Sequence, residues 1–519
     1  MKNLSKLFIA SSLVVIASCE PDFDNPVEDF VVTSGDADFS KYVALGNSLT
    51  SGFTDNALFI SAQENSYPNM LATQFAMAGG GSFTQPLMPD EIGGFSDLGV
   101  AGRLTLQLIN GSLAPVPTPA QSPLTPASGS SFGNMGVPGA KSYHLVAPGY
   151  GNPAGIGSTA NPYFVRFASS PSTSVLADAA SQQPSFFTLW IGNNDVLSYA
   201  TGGGVGVNQM AANNTDPTTY GGSDISHPAV VAGSIQMILE KLVNEGGAKG
   251  AIANIPSITD IPFFTTVPYA PLNPSNPSFG SMIPALNAQF GQLNAVFDYL
   301  GASNRKVVFH TDAASPVVIQ DETLADLSTA IRDVLMSQGM DAGTATILGM
   351  TYGQSRQATE EDLLVFTSQT IIGQVNMDRV AQLVGMGVPQ EQAAQLSVNG
   401  ITYPLQDQWV LIPSEKQAVI DATNAYNTAI AQLADDYNLA LVNANGAMQS
   451  LSSAWGITYF GNNYNTTFVS GGAFSLDAVH LTAKGYAIVT NYFVDAINSK
   501  YRSNLRKVNP NNYPGVLIP

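Results

Sequence analysis

Only four histidines, His144, His227, His310 and His480, occur in the 519 residues of this chain, so few side chains can act as a base near neutral pH. His480 has a carboxylate three residues before it, in Asp477-Ala478-Val479-His480-Leu481-Thr482. One turn at that spacing brings Asp477 to the imidazole, where it can hold the tautomer and stabilise the imidazolium formed when His480 takes a proton. A proton donor for this base is Ser48, in Gly46-Asn47-Ser48-Leu49-Thr50-Ser51-Gly52, directly after an apolar run. This small-residue elbow exposes the hydroxyl at a strand's end, where a helix onset would aim N–H groups at developing negative charge. The same letters also suit a plain turn with a capping serine.

Two further segments could complete an acyl-transfer site. In Asn134-Met135-Gly136-Val137-Pro138-Gly139, Gly136 lacks a Cβ and lets a substrate oxygen approach the main chain. In Gly192-Asn193-Asn194-Asp195, at the end of another apolar run, Asn194 offers an amide donor to an oxyanion. Each alone also reads as a turn. Of the other histidines, His227 precedes Pro228 at a loop or helix start and His310 closes a strand beside Asp312. His144 follows the Gly136 loop, near enough in sequence to line a cleft. All three read as structural residues.

These residues need elements to place them. Apolar runs mark strands at Tyr42–Leu45, Phe186–Ile191, Gly250–Ile255, Val307–His310 and Leu439–Val442. Helical spacing of apolar residues marks Tyr67–Ala76, Ala229–Asn244, Ile283–Tyr299, Glu415–Tyr437 and Ala483–Lys500. The alternation predicts an α/β fold, a three-layer α/β/α arrangement around a mainly parallel, doubly wound sheet with long loop and helical insertions. In such a sheet ligands bind beyond the carboxyl ends of the strands, where Ser48 and Asn194 fall. Stretches rich in Gly, Pro, Ser and Thr at Ala78–Thr84, Gly111–Ser131, Gly202–Ser226 and Val267–Ser281 read as surface loops. The expected organisation is a leader over residues 1–18, an acidic tether over 19–38, the main domain over 39–503 and a tail over 504–519. Its insertions fall at about 78–131, 200–227 and 311–413, the last a largely helical lobe.

Composition narrows the function. A hydrophobic content of 45% with 11% charge describes a chain that folds around a core. The 38 acidic and 19 basic residues give a net charge of −19, which repels phosphate backbones, so no nucleic-acid partner is expected. Lys2 and Lys6 precede an apolar run, Leu7–Ile16, that is too short to span a bilayer and has the layout of a signal peptide. Ile16-Ala17-Ser18-Cys19 resembles the cleavage box of bacterial lipoproteins, and Cys19 is the single cysteine, so no internal disulfide can form. A lipid anchor at Cys19 is therefore expected, followed by the acidic Glu20, Asp22, Asp24, Glu28 and Asp29. That run is also similar to export signals of some Bacteroidetes surface lipoproteins.

The segments around Ser48, Gly136, Asn194 and His480, in this order and each at a strand's end, resemble the four sequence blocks of the SGNH or GDSL hydrolase superfamily. Much of Tyr42 to Tyr501 is similar to GDSL-type lipoproteins of Bacteroidetes, with Ala78–Ser131 and Thr311–Pro413 longer than in a minimal member. The resemblance implies a flavodoxin-like fold and an outer-membrane lipoprotein with esterase or lipase activity. It implies Ser48 as nucleophile, Asp477 and His480 as its partners, and an oxyanion hole from the Ser48 and Gly136 N–H groups plus Asn194. Neither cofactor nor metal is called for. The first block of the family reads Gly-Asp-Ser, and Asn47 here removes the charge beside the nucleophile. Lipid or short-chain acyl esters, carbohydrate O-acetyl esters, and surface binding without turnover are the three outcomes this implies.

Overall fold

The computed structural model describes residues 31–109 and 111–519; the leader, Cys19 and the acidic residues just after it lie outside the described residues. Five strands form one parallel sheet: β1 (Tyr42–Gly46), β2 (Asn134–Gly136), β3 (Phe186–Trp190), β4 (Lys249–Ala253) and β5 (Ala440–Val442). Their order is β5-β4-β3-β1-β2. Every residue of β1 and β3 is buried, which is why both read as unbroken apolar runs rather than alternating ones. From β1 the chain goes to β2 on one side and then to β3 on the other. The sheet's winding therefore reverses between β1 and β3, leaving a crevice at their carboxyl ends.

The helices that matter for this crevice are α1 (Ser48–Ser51), α2 (Tyr67–Met77), α3 (Asn194–Thr201), α4 (Pro228–Leu239), α5 (Pro413–Asp436) and α6 (Ala483–Tyr501). Alternation along the strands sends Tyr42, Phe186 and Trp190 to one face, where Phe75 of α2 and Phe493 of α6 meet them edge-on. The helices α3 and α4 both pack on α5, away from this aromatic cluster. Rings of this size each contribute about 2 to 3 kcal/mol by leaving water, so the sheet ends are set by a rigid core.

Several expectations are revised. Val307–His310 is not a strand. Its main chain is satisfied by amide side chains: Val307 and Phe309 donate to Asn294 and Asn287 of the helix Ile283–Tyr299 at 2.8 and 2.9 Å. Both side chains return a bond to the carbonyl of the same residue. That helix, with the predicted ends, belongs not to the sheet layers but to a second core running from Val267 to Ile412. The lobe thus begins well before Thr311. Part of the supposed Gly111–Ser131 loop is a strand, Ser112–Pro117, paired with Leu104–Ile109. Pro115 and Pro117 lie on alternate residues, so both missing N–H groups fall on one edge, the edge away from the partner strand.

The chain ends also differ from a free tether and tail. Asp36 donates its N–H to Tyr501 O at 2.7 Å and its carboxylate accepts from Arg502 Nε at 2.7 Å, while Phe39 stacks on Phe75 at 4.0 Å. Beyond α6, Leu505 and Val508 are buried and hydrogen-bonded to Asn498 and Asn491. Among the described residues no helix is long and apolar enough to cross a membrane.

Candidate active site

Ser48 opens α1, with only Asn47 between it and β1, and is 6% exposed. Asn47 caps this short helix, its Oδ1 accepting from Leu49 N–H at 3.0 Å. Its Nδ2 donates to Asn193 Oδ1 at 3.2 Å, so this neutral residue ties the β1 loop to the β3 loop. As the first residue of α1, Ser48 has no acceptor for its N–H within the helix, which leaves that donor free.

His480 Nε2 lies 2.9 Å from Ser48 Oγ, and its Nδ1 lies 2.8 Å from Asp477 Oδ2. The imidazole is partly shielded, with Phe53 of the Ser48 loop packed on the ring at 4.7 Å. Asp477 collects five donors. Oδ1 accepts from Ser475 Oγ and the Val479 and His480 N–H groups, and Oδ2 accepts from Asn56 N–H at 2.9 Å besides His480. Burial alone would raise this carboxyl, but the His480 charge and these donors outweigh it and hold it well below the usual carboxylate range. The bend between the two residues puts Ala478 at φ 63°, a costly conformation for alanine. Ser475 O and Phe263 N–H pin it there from both sides.

Asp55 and Asn56 were missed by sequence reasoning. Both adopt left-handed φ, 49° and 60°, in a tight turn between Thr54 and Ala57. This turn reaches across 421 positions: Asn56 holds Asp477, and Asp55 Oδ1 accepts from Leu476 N–H at 3.0 Å. Burial, with the nearby Asp477 charge, pushes the Asp55 carboxyl up to about 6. The Asp-Asn pair was a local turn signal, but nothing in it pointed to so distant a partner.

Asn194 begins α3 and is 7% exposed; its Nδ2 donates to Ala140 O at 2.9 Å, with one amide hydrogen left. Gly136 does not fill its expected role. Its N–H donates to Asn134 Oδ1 at 3.0 Å, and a Cβ there would lie 2.3 Å from Ser51 N. Its lack of a side chain lets α1 pack on β2, rather than letting substrate in. Gly139 is the exposed glycine of this segment, at φ 79° in a turn closed by Ala140 N–H on Val137 O. That is a type II turn with Pro138 and Gly139 at its centre, and the Pro-Gly pair is the signal that could have found it. The turn leaves the Gly139 N–H unused. Asp195 anchors the chain just beyond this turn, accepting from Ser142 N–H at 2.8 Å and Ser142 Oγ at 2.9 Å.

The remaining histidines are structural. His227 caps α4 through Nδ1, accepting from Ala229 N–H at 3.1 Å. His144 does not offer a base to a cleft: Nδ1 accepts from Lys141 N–H, the ring stacks on Tyr150, and burial with the Lys141 charge pushes it down to about 4. His310 is exposed, and its N–H donates to Ser315 Oγ.

Beside the dyad lies an apolar cavity of about 80 Å³ between the sheet, the helix Ala444–Ser452 and α6. Leu49 and Val479, the neighbours of Ser48 and His480, form part of its wall, with Trp190, Val442, Met448 and Ile488. Trp190 Nε1 is turned away to Asn254 O at 3.1 Å, so the indole presents only its apolar surface. Taken together, these groups can pass a proton from a serine to a histidine beside N–H donors and an apolar slot. No family model matches this chain, and no curated protein matches it.

Proposed function

We propose that this chain is a serine ester hydrolase of the SGNH (GDSL-like) type, transferring an acyl group to water through an acyl-serine. The observation that carries the reading is the hydrogen-bonded chain from Ser48 Oγ through His480 to Asp477. The sheet order, with helical layers packed around it, fits the three-layer, doubly wound architecture of that superfamily. His480 Nε2 takes the hydroxyl proton as Oγ attacks the ester carbonyl, and returns it to the departing alcohol. The oxyanion is held by the Ser48 N–H, the Gly139 N–H and the second hydrogen of Asn194 Nδ2, with Gly139 in place of Gly136. Water, deprotonated by the same His480, then releases the acid.

The apolar cavity against Leu49 and Val479 supports acyl chains over sugars as the group lodged beside Ser48, since a pyranose would leave hydroxyls unpaired there. Export and anchoring of the enzyme in the outer membrane through a lipid on Cys19 belongs to the same reading and rests on the leader sequence. The test is a panel of short and medium-chain nitrophenyl esters and acetyl-xylan, assayed with wild type and Ser48→Ala. The expected result is turnover of the acyl esters and its loss in Ser48→Ala by several orders of magnitude. Equal rates in the two proteins would remove the assignment.

A further inference from the structure

A second, larger cavity of about 400 Å³ lies on the far side of the Asp477 loop, bounded by residues 54–65, the Leu104–Ile109 strand, the start of α6 and residues 514–519. Its one cation is Arg103. The guanidinium sits 4.6 Å from the centre of the Phe59 ring, and among the described residues it makes no hydrogen bond and no ion pair. With no protein partner, the fork of donors on this half-buried guanidinium is free to bind a ligand that enters the cavity. The charge of Asp55 acts on it only through space.

The walls say what would pair with it. Phe59, Leu106, Leu476 and the Tyr486 ring are apolar, while the Ser61 and Thr105 hydroxyls already donate to Glu91 Oε2 and Val116 O, which leaves Arg103 as the cavity's free donor. One planar cation suits a carboxylate, which it can grip with two parallel N–H bonds. A dianion would be left with uncompensated charge beside Asp55 in a chain of net charge −19. The apolar walls take a hydrocarbon tail.

We infer that this cavity is a binding site for a medium-chain monocarboxylate, held by Arg103 at its head and by the Phe59, Leu106 and Tyr486 walls along its tail. The site is separate from the crevice at Ser48, although its wall residue Leu476 is the one whose N–H is held by Asp55. A monocarboxylate is also the acid that an acyl-ester hydrolase releases; that link rests on the proposed reaction, whereas binding at Arg103 does not.

Calorimetric titration of the full chain with sodium octanoate tests the site. Saturable binding is expected for wild type and for Ala447→Phe, which fills the apolar cavity beside Ser48 from Ala447 in its wall, and 1-octanol should not compete. Arg103→Gln should weaken octanoate at least tenfold. Thr105→Glu, which leaves Arg103 on Phe59 but adds a negative charge to the cavity, should do the same and serves if Arg103→Gln does not fold. Wild-type affinity in either folded variant, or loss of all octanoate binding in Ala447→Phe, would overturn the proposal. Binding needs no turnover, so an inactive protein would leave this test intact.

Discussion

Replacing Asp477 by Asn is nearly isosteric, yet the structure makes it costly for two separable reasons. The Oδ1 position receives three donors, from Ser475, Val479 and His480 N–H, so the amide oxygen must occupy it. The NH₂ group then takes the place of Oδ2, facing His480 Nδ1 and Asn56 N–H. His480 can meet this NH₂ only by accepting at Nδ1, which moves its proton to Nε2, the atom 2.9 Å from Ser48 Oγ. A base already protonated toward the nucleophile cannot receive its proton. The same change in a serine-protease triad costs about 10⁴ in turnover, or about 5.4 kcal/mol of transition-state stabilisation. Asn56 N–H meanwhile loses its acceptor, for about 1 to 3 kcal/mol of folding stability. Steady-state hydrolysis of nitrophenyl butyrate would read the first effect in kcat with KM little changed, and urea unfolding the second. A variant within tenfold of wild-type kcat would refute the role given to Asp477.

Three other substitutions probe separate parts of the molecule. Gly136→Ala would push a methyl to 2.3 Å from Ser51 N, a backbone atom that cannot step aside, so urea unfolding should show a loss of about 1 to 3 kcal/mol together with reduced kcat; unchanged stability would mean the β2 to α1 packing is looser than described. Ala447→Phe should narrow the cavity beside Ser48 and lower kcat/KM for octanoyl esters about 15-fold, from lost room for two methylenes at about 0.8 kcal/mol each, while acetyl esters stay within twofold; equal losses for both would place the acyl chain elsewhere. Glu415, with Glu322 and Asp407 beside it, is pushed up to about 8 by burial first and then by those two charges. A carboxyl raised in the folded state binds a proton that the unfolded chain has released, so stability should fall as pH rises from about 4.5 through 8. Glu415→Gln, which can still accept from Ile412 N–H, should flatten that fall in thermal melts and leave pH 4 behaviour unchanged; parallel curves for the two proteins would contradict it.

Much of the sheet was legible because its strands are buried on both faces, so Tyr42–Gly46 and Phe186–Trp190 stand out as apolar runs with sharp ends. The long helices were legible for the same kind of reason, and the Ile283–Tyr299 boundaries match. What the sequence hid was whichever element depends on a distant partner. Asn134–Gly136 is a strand only because β1 pairs with it, and three residues carry no period. Val307–His310 has strand-like letters, but its neighbours are the amides of a helix. At the site, Ser48, Asp477 and His480 do come together as their chemistry suggested, Ser48 and Asn194 lying just beyond β1 and β3, while Asp477 and His480 sit in the turn before α6 rather than at a strand's end. Gly136 was misassigned because a glycine needed for close packing looks the same, as a letter, as one needed for an open N–H. Asp55 and Asn56 went unseen because the bond to Asp477 spans nearly the whole chain.

The proposed mechanism turns on Ser48 Oγ as the nucleophile. Incubation of the full chain with a fluorophosphonate, with intact-mass measurement and peptide mapping afterwards, tests it directly. A single adduct is expected on the peptide carrying Ser48, formed rapidly in wild type, slowed by orders of magnitude in His480→Ala, and absent in Ser48→Ala. Ester hydrolysis that proceeds while Ser48 stays unlabelled, or an adduct on another residue that abolishes activity, would contradict it.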